Sequence, residues 1–150
     1  MTDTSATAGS PVRAKGINHI GIAVRSLDAQ RAFYEDVLGA VFEGVEEVAE
    51  QRVRVAFYRL GGPGQEVRLE LLEPTSSEST IASFIEKRGE GMHHIAYTVE
   101  SIEDRLRDLA GKGVRMIDQS PRDGAHGARI AFMHPKASGG VLTELCEPKH

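Results

Sequence analysis

The sequence predicts an α+β fold of two tandem βαβββ modules sharing one curved mixed sheet. Three observations predict it. The chain repeats itself at a nearly constant offset. Each repeat reads strand, helix and three further extended segments. Both repeats carry a histidine inside the first strand and a glutamate inside the last.

The repeat comes first, because self-similarity at a fixed period decides the architecture. Asn18-His19-Ile20-Gly21-Ile22-Ala23-Val24 returns as His93-His94-Ile95-Ala96-Tyr97-Thr98-Val99, an offset of 94 − 19 = 75. Ser26-Leu27-Asp28 returns as Ser101-Ile102-Glu103, again at 75. Leu38-Gly39-Ala40-Val41 answers Lys112-Gly113-Val114-Arg115, and Glu70-Leu71-Leu72-Glu73-Pro74 answers Glu144-Leu145-Cys146-Glu147-Pro148, both at 74. Four matches in one order imply an internal duplication.

Within each repeat, short β-rich apolar runs at 19–24 and 94–99 read as first strands. Ser26 and Ser101 stand at helix N-caps, with acidic residues in the first turn, where the helix dipole favours them. Apolar residues at helical spacing predict a helix over 27–38 that Gly39 stops, as Gly113 stops its counterpart. Extended segments follow around 41–43, 53–60 and 67–72, with Gly61-Gly62-Pro63-Gly64 as a turn. The second repeat places them around 115–117, 128–134 and 141–146, with Ala137-Ser138-Gly139-Gly140 as a turn. The expected organisation is a disordered tail over 1–15 and a single domain over 16–150. That domain comprises module one at 16–75, a linker helix within 76–90 and module two at 91–150.

Composition narrows the function. Apolar residues make up 40% and charged residues 27% of the chain, enough for a core of ordinary size. The net charge is −4 and the 18 basic residues form no long run, which argues against nucleic acid as a partner. No run approaches the roughly 18 apolar residues of a membrane span, and the first fifteen residues lack the apolar stretch of a secretory signal. The single cysteine, Cys146, excludes an intrachain disulfide and suits a reducing cytoplasm.

Glu70 and Glu144 are carboxylates in the middle of apolar strands, a costly placement unless each has a partner. Alternation sets Glu70 on the face of Leu72, opposite Leu69 and Leu71. If the first and last strands of each module are neighbours, His19 meets Glu70 and His94 meets Glu144. Joining the modules then brings all four to one concave surface. Such a nitrogen and oxygen donor set suits Co, Mn, Ni, Fe or Zn. Taken singly, each residue has a duller reading: a hydrogen-bonded structural histidine, or a glutamate facing solvent from an edge strand. His93 is expected to point to the opposite face in a structural role.

The duplicated pattern, with histidine on strand one and glutamate on strand four, resembles the vicinal oxygen chelate superfamily, which includes glyoxalase I, extradiol dioxygenases and fosfomycin-resistance proteins. The strongest resemblance is to its methylmalonyl-CoA epimerase family. It rests on the strands above, on Glu50-Gln51, and on Ile130-Ala131-Phe132-Met133-His134-Pro135-Lys136 with Gly140-Val141-Leu142-Thr143-Glu144-Leu145. The resemblance implies a metal-dependent enzyme that interconverts the 2R and 2S forms of methylmalonyl-CoA by 1,1-proton transfer. It implies one divalent ion, cobalt first and Mn, Ni, Zn or Fe as alternatives, held by His19, Glu70, His94 and Glu144. Glu144 is the first candidate base and Glu50 the second, with Glu47 or water as substitutes, because the strand at 53–57 lacks the acid that some relatives carry. Gln51 would donate to the substrate carboxylate. Lys136 and Ser79 would meet the anionic groups of an acyl-CoA. A cytoplasmic homodimer is expected. The alternatives are a glyoxalase-type lyase or isomerase and a non-catalytic small-molecule binder; an extradiol dioxygenase fits less well, since it needs open iron positions.

Overall fold

The computed structural model describes residues 14–149, so the expected tail lies outside the described residues except for its last two. Lys15 already donates its N–H to Thr98 O at 2.8 Å. In chain order, β1 is Gly16–Ala23, α1 Leu27–Arg31, β2 Val41–Val48, β3 Val53–Leu60, β4 Val67–Pro74, α2 Thr80–Arg88, β5 Gly91–Thr98, α3 Ile102–Gly111, β6 Arg122–Asp123, β7 Arg129–Met133 and β8 Thr143–Glu147. All eight strands form one sheet in the order β2-β3-β4-β1-β5-β8-β7-β6. This curled mixed sheet, with few helices, is the vicinal oxygen chelate fold. Among the described residues no helix is long and apolar enough to cross a membrane.

The strand order reads the same from both ends. β1 pairs with β4 in parallel, β5 pairs with β8 in parallel, and β1 meets β5 antiparallel at the centre. First and last strands of each module are therefore neighbours, as expected. The convex face carries two apolar clusters. Leu27 and Tyr34 cover Ala56, Tyr58, Leu69 and Leu71, while Ile102, Leu106 and Leu109 of α3 cover Ala131 and Leu145. The concave face carries the other two: Val53, Val55, Phe57 and Leu72 with α2, and Ala96, Ala128, Ile130, Phe132 and Cys146. Leu69 and Leu71 fall on one face and Leu72 on the other, the alternation that the sequence predicts.

Both N-caps form. Ser26 Oγ accepts from Ala29 N at 3.2 Å and Ser101 Oγ from Asp104 N at 3.4 Å. A second acceptor reaches each helix from the repeated Glu-Leu-x-Glu-Pro run. Glu73 Oε2 takes Leu27 N at 3.1 Å, and Glu147 Oε1 takes Ile102 N at 2.9 Å. Each run thus sends its first glutamate to the concave face and its second to a helix N-terminus, where the exposed N–H groups favour an anion. Gly39 and Gly113 end the helical segments in the left-handed region, at φ 77° and 75°.

Two expectations need correction. The helix expected over 27–38 is α-helical only as far as Arg31 and continues as a π-helix over Ala32–Val37; Leu38 N bonds Phe33 O, five residues back, at 2.8 Å. The wider turn accompanies Tyr34 against Tyr58, whose hydroxyl donates to Glu35 at 2.7 Å. The strand expected at 115–117 is reduced to one bridge, Met116 to Met133. Ile117 N and Asp118 N both bond Phe132 O, and the Asp118 carboxylate accepts Phe132 N at 2.8 Å. A side chain there takes the place of a ladder carbonyl and ends the pairing.

Candidate metal centre and substrate cavity

The sheet curls around a cavity of about 490 Å³. At its floor, where β1 meets β5, stand His19, Glu70, His94 and Glu144, all buried. Glu70 lies in β4 beside Gly21 and Phe57, and Glu144 lies in β8 beside Ala96 and Phe132. Each carboxylate therefore sits between a small residue and a phenylalanine. Gly21 pairs with His94 across the antiparallel junction, and a Cβ built on Gly21 would overlap the His94 ring. Glycine is required there by the close approach of that imidazole. The sequence reading gave Phe57, Phe132, Ala96 and Gly21 no role at the site, although all four keep the repeat offset: 132 − 57 = 75 and 96 − 21 = 75.

The two imidazoles face each other, with His19 Nε2 3.0 Å from His94 Nε2. Glu144 reaches both, at 3.1 Å from His94 Nε2 and 3.7 Å from His19 Nε2. His19, His94 and Glu144 each offer one ligand atom, and these atoms all lie within 4.8 Å of one another. The fourth residue, Glu70, is placed differently: its Oε2 lies 3.2 Å from His19 Nδ1, on the other side of that ring. The structure thus gathers three of the four expected ligands into one cluster and sets Glu70 against the flank of His19.

Burial alone would raise the Glu144 carboxyl, but the His19 and His94 side chains bonded to it outweigh burial and hold it at about 2. Burial raises Glu70, and the opposing pull of His19 does not overcome it. Burial lowers His19, yet its bond to Glu144 and the charges of Glu70 and Glu144 leave it raised. Burial, then the His94 charge, push His93 down to about 4. Burial and the nearby carboxylates lift Cys146 to about 12, so this thiol on the concave side stays protonated at neutral pH.

The donor chemistry fits a divalent cation. If both rings are neutral and carry their protons on Nδ1, two lone pairs confront each other at 3.0 Å. A proton or a cation has to lie between them. Two carboxylates in the same buried space call for more positive charge than one proton supplies.

The other expected residues divide. Glu50 and Gln51, on the 3₁₀ turn Ala49–Gln51, line the cavity, and Gln51 Nε2 donates to Asp123 O at 3.2 Å. Ser79 also lines it but is buried as the N-cap of α2, accepting from Ile81 N at 3.1 Å. Lys136 is exposed on the turn Pro135–Ser138 and does not reach the cavity, nor does Glu47, exposed on β2. His93 departs from expectation. It lines the cavity, because the register skips it between the Gly21–His94 and Ile22–Met92 pairs, and this bulge turns its ring toward His94. A strap from module two closes the far side. Ala125 packs on the Val53–Phe57 cluster, His126 stacks on Phe57 at 3.9 Å, and His126 N donates to Glu46 at 3.1 Å. His126 adopts φ 57°, unusual for a residue with a Cβ.

Comparison with known proteins agrees with this architecture. Residues 18–132 match the Glyoxalase/Bleomycin resistance protein/Dioxygenase superfamily. The chain belongs to that superfamily. Among its members, an uncharacterised protein of Bacillus subtilis is 47% identical over 133 residues, covering 89% of this chain and 92% of the relative. The mitochondrial methylmalonyl-CoA epimerase of Mus musculus is 41% identical over 138 residues, covering 91% of this chain and 75% of its own. The solved structure of a Streptomyces coelicolor methylmalonyl-CoA epimerase variant, in complex with 2-nitronate-propionyl-CoA, superposes with a TM-score of 0.87 at 38% identity, covering 92% of this chain and all of that one.

Proposed function

We propose that this protein is a metal-dependent methylmalonyl-CoA epimerase, interconverting the 2R and 2S thioesters by 1,1-proton transfer. The observation that carries the reading is the buried His19–His94–Glu144 cluster on the cavity floor, in a chain similar along most of its length to methylmalonyl-CoA epimerases. His19, His94 and Glu144 would hold the ion, with Glu70 completing the set after its carboxylate turns from Nδ1 to the Nε2 side of His19. Cobalt is the first candidate, to be compared with manganese, nickel, zinc and iron. When bound, a divalent ion supplies a Lewis acid that stabilises negative charge on the thioester oxygen.

The chain's own residues do the rest. One carboxylate removes the proton at C2, the C–H electron pair passes toward the thioester carbonyl, and a second acid returns a proton to the opposite face. Glu144 is assigned to the first face. While imidazole N–H groups bond to it, Glu144 is a weak base; imidazoles whose Nε2 lone pairs are engaged elsewhere no longer donate to it. Glu50, on the cavity wall, is assigned to the second face. Gln51 presents an amide that can leave Asp123 O for the substrate carboxylate. Phe57 and Phe132 exclude water from the strands on either side of the acids. Acyl-CoA is the partner, and the cytoplasm suits the lone cysteine. A homodimer is supported by the exposed apolar residues Phe33, Val37, Leu38, Val41 and Val45.

The test is deuterium wash-in at C2 of methylmalonyl-CoA in deuterated water, before and after metal is stripped and restored. Exchange that vanishes with the metal and returns with cobalt supports the reading. Metal binding without any exchange would instead favour the glyoxalase-type or binding alternatives.

A further inference from the structure

Asn18 and His93 are the residues before the two inward histidines, at equivalent places in the repeat (93 − 18 = 75). Neighbours on a regular strand face opposite sides. Here the register between β1 and β5 skips Asn18, between the Ile17–Tyr97 and His19–Ala96 pairs, just as it skips His93. Both side chains consequently come round to the ring that follows them. Asn18 Oδ1 lies 2.8 Å from His19 Nδ1, and His93 Nδ1 lies 2.9 Å from His94 Nδ1.

We infer that Asn18 and His93 are positioning residues for the metal centre, each accepting the Nδ1 proton of the histidine after it and so committing that ring's Nε2 to the ion. The inference rests on the metal-centre reading above. An imidazole that offers Nε2 as a ligand carries its proton on Nδ1, and an acceptor at Nδ1 fixes both the tautomer and the ring plane. Asn18 accepts with its carbonyl oxygen. His93 accepts with the Nδ1 lone pair and so keeps its own proton on Nε2. Phe84, edge-on to the His93 ring at 5.0 Å, holds that ring in place. Asparagine and histidine differ in shape and size but share an acceptor atom two bonds beyond Cβ, and a packing role would not select for that. Glu70 also lies 3.2 Å from His19 Nδ1, but as a ligand it would leave that nitrogen, so Asn18 serves His19 as His93 serves His94.

The test is cobalt titration of the full chain, followed by the visible absorption of the bound ion. His93→Phe keeps an aromatic ring against Phe84 and removes the acceptor. It is expected to weaken cobalt binding by about 10–100-fold and to change the visible band. Asn18→Leu should weaken binding in the same way, because Glu70 leaves Nδ1 when it joins the ligand set. His93→Asn and Asn18→Asp restore an acceptor two bonds beyond Cβ and should recover most of the affinity. Wild-type affinity and an unchanged band in both His93→Phe and Asn18→Leu would overturn the inference while leaving the metal centre standing. A parent protein that takes up no cobalt would overturn the metal centre and the inference together. Melting of the metal-free variants separates loss of ligand geometry from loss of fold; should His93→Phe not fold, Asn18→Leu with its Asp rescue decides.

Discussion

The two modules share one grammar, yet they treat the same glutamate differently. Glu144 lies among both Nε2 atoms and is held at about 2; Glu70 touches only His19 Nδ1 and is raised by burial. Their strand neighbours match, a small residue and a phenylalanine on each side. The contrast therefore arises from which imidazole nitrogen each carboxylate meets. Duplication reproduces position within the sheet, while the chemistry of a position depends on a neighbour contributed by the other module.

The largest effect that would test this contrast is on turnover. Glu144→Gln is expected to lower C2 exchange by a factor on the order of 100 or more while retaining metal, since an amide coordinates but accepts no proton at useful pH. Glu70→Gln should keep metal and a substantial rate. Equal losses in the two variants would erase the distinction.

Next is the stability of the metal-free protein. A carboxyl held at about 2 when folded, against roughly 4.3 unfolded, stabilises the fold above pH ~4.3 and loses that contribution as pH falls toward 2. A raised carboxyl acts oppositely: Glu70 begins to disfavour the fold as pH rises past ~4.3, and does so fully above its folded pKa. At pH 7, after chelation, Glu144→Gln should be destabilised by roughly 2–3 kcal/mol. Glu70→Gln should be as stable as the parent or more so. Denaturant midpoints decide, and shifts of the same sign would contradict the assignment.

Gly21 and Ala96 give a third comparison. Gly21→Ala pushes a methyl into the His94 ring and should cost about 1–3 kcal/mol together with cobalt affinity. Ala96→Gly should cost ~1–2 kcal/mol, backbone freedom plus one buried methyl, and leave cobalt affinity in place. Last is acidity. His19 holds its proton more tightly than a free imidazole, so cobalt occupancy at limiting metal should begin to fall at pH values above ~6.5 as the solution is acidified. Occupancy unchanged down to pH about 4 would exclude imidazole ligation.

The sequence made legible whatever the repeat carried directly: strand parity around Glu70, both serine caps, the glycine stops, and the pairing of each first strand with its last. It hid features that depend on hydrogen bonds across the sheet. The bulges at Asn18 and His93 exist only in the register between β1 and β5, so alternation placed His93 on the wrong face. The missing strand at 115–117 follows from Asp118 capturing Phe132 N, which no local propensity encodes. Lys136 was legible only through the motif beside it, and the turn at Pro135–Ser138 leaves it exposed outside the cavity lining. The second glutamate of each Glu-Leu-x-Glu-Pro run was visible as a repeat, and its role emerged only once the helix N-termini were located.

The palindromic strand order gives the scaffold an approximate rotation axis through the β1–β5 seam. A substrate with a single chiral carbon has no such axis. A pocket that obeyed the rotation perfectly would accept the thioester in two opposed orientations, and each acid would meet either face of C2 at random. The two related turns break that rotation: Ala125–Gly127 lays His126 on Phe57 and against Glu46, whereas Ala49–Gln51 brings Glu50 and Gln51 to the cavity and reaches module two through the Gln51 amide on Asp123 O. Their different side chains make one entrance unlike the other, so the departure from duplication is itself what lets the cavity distinguish left from right.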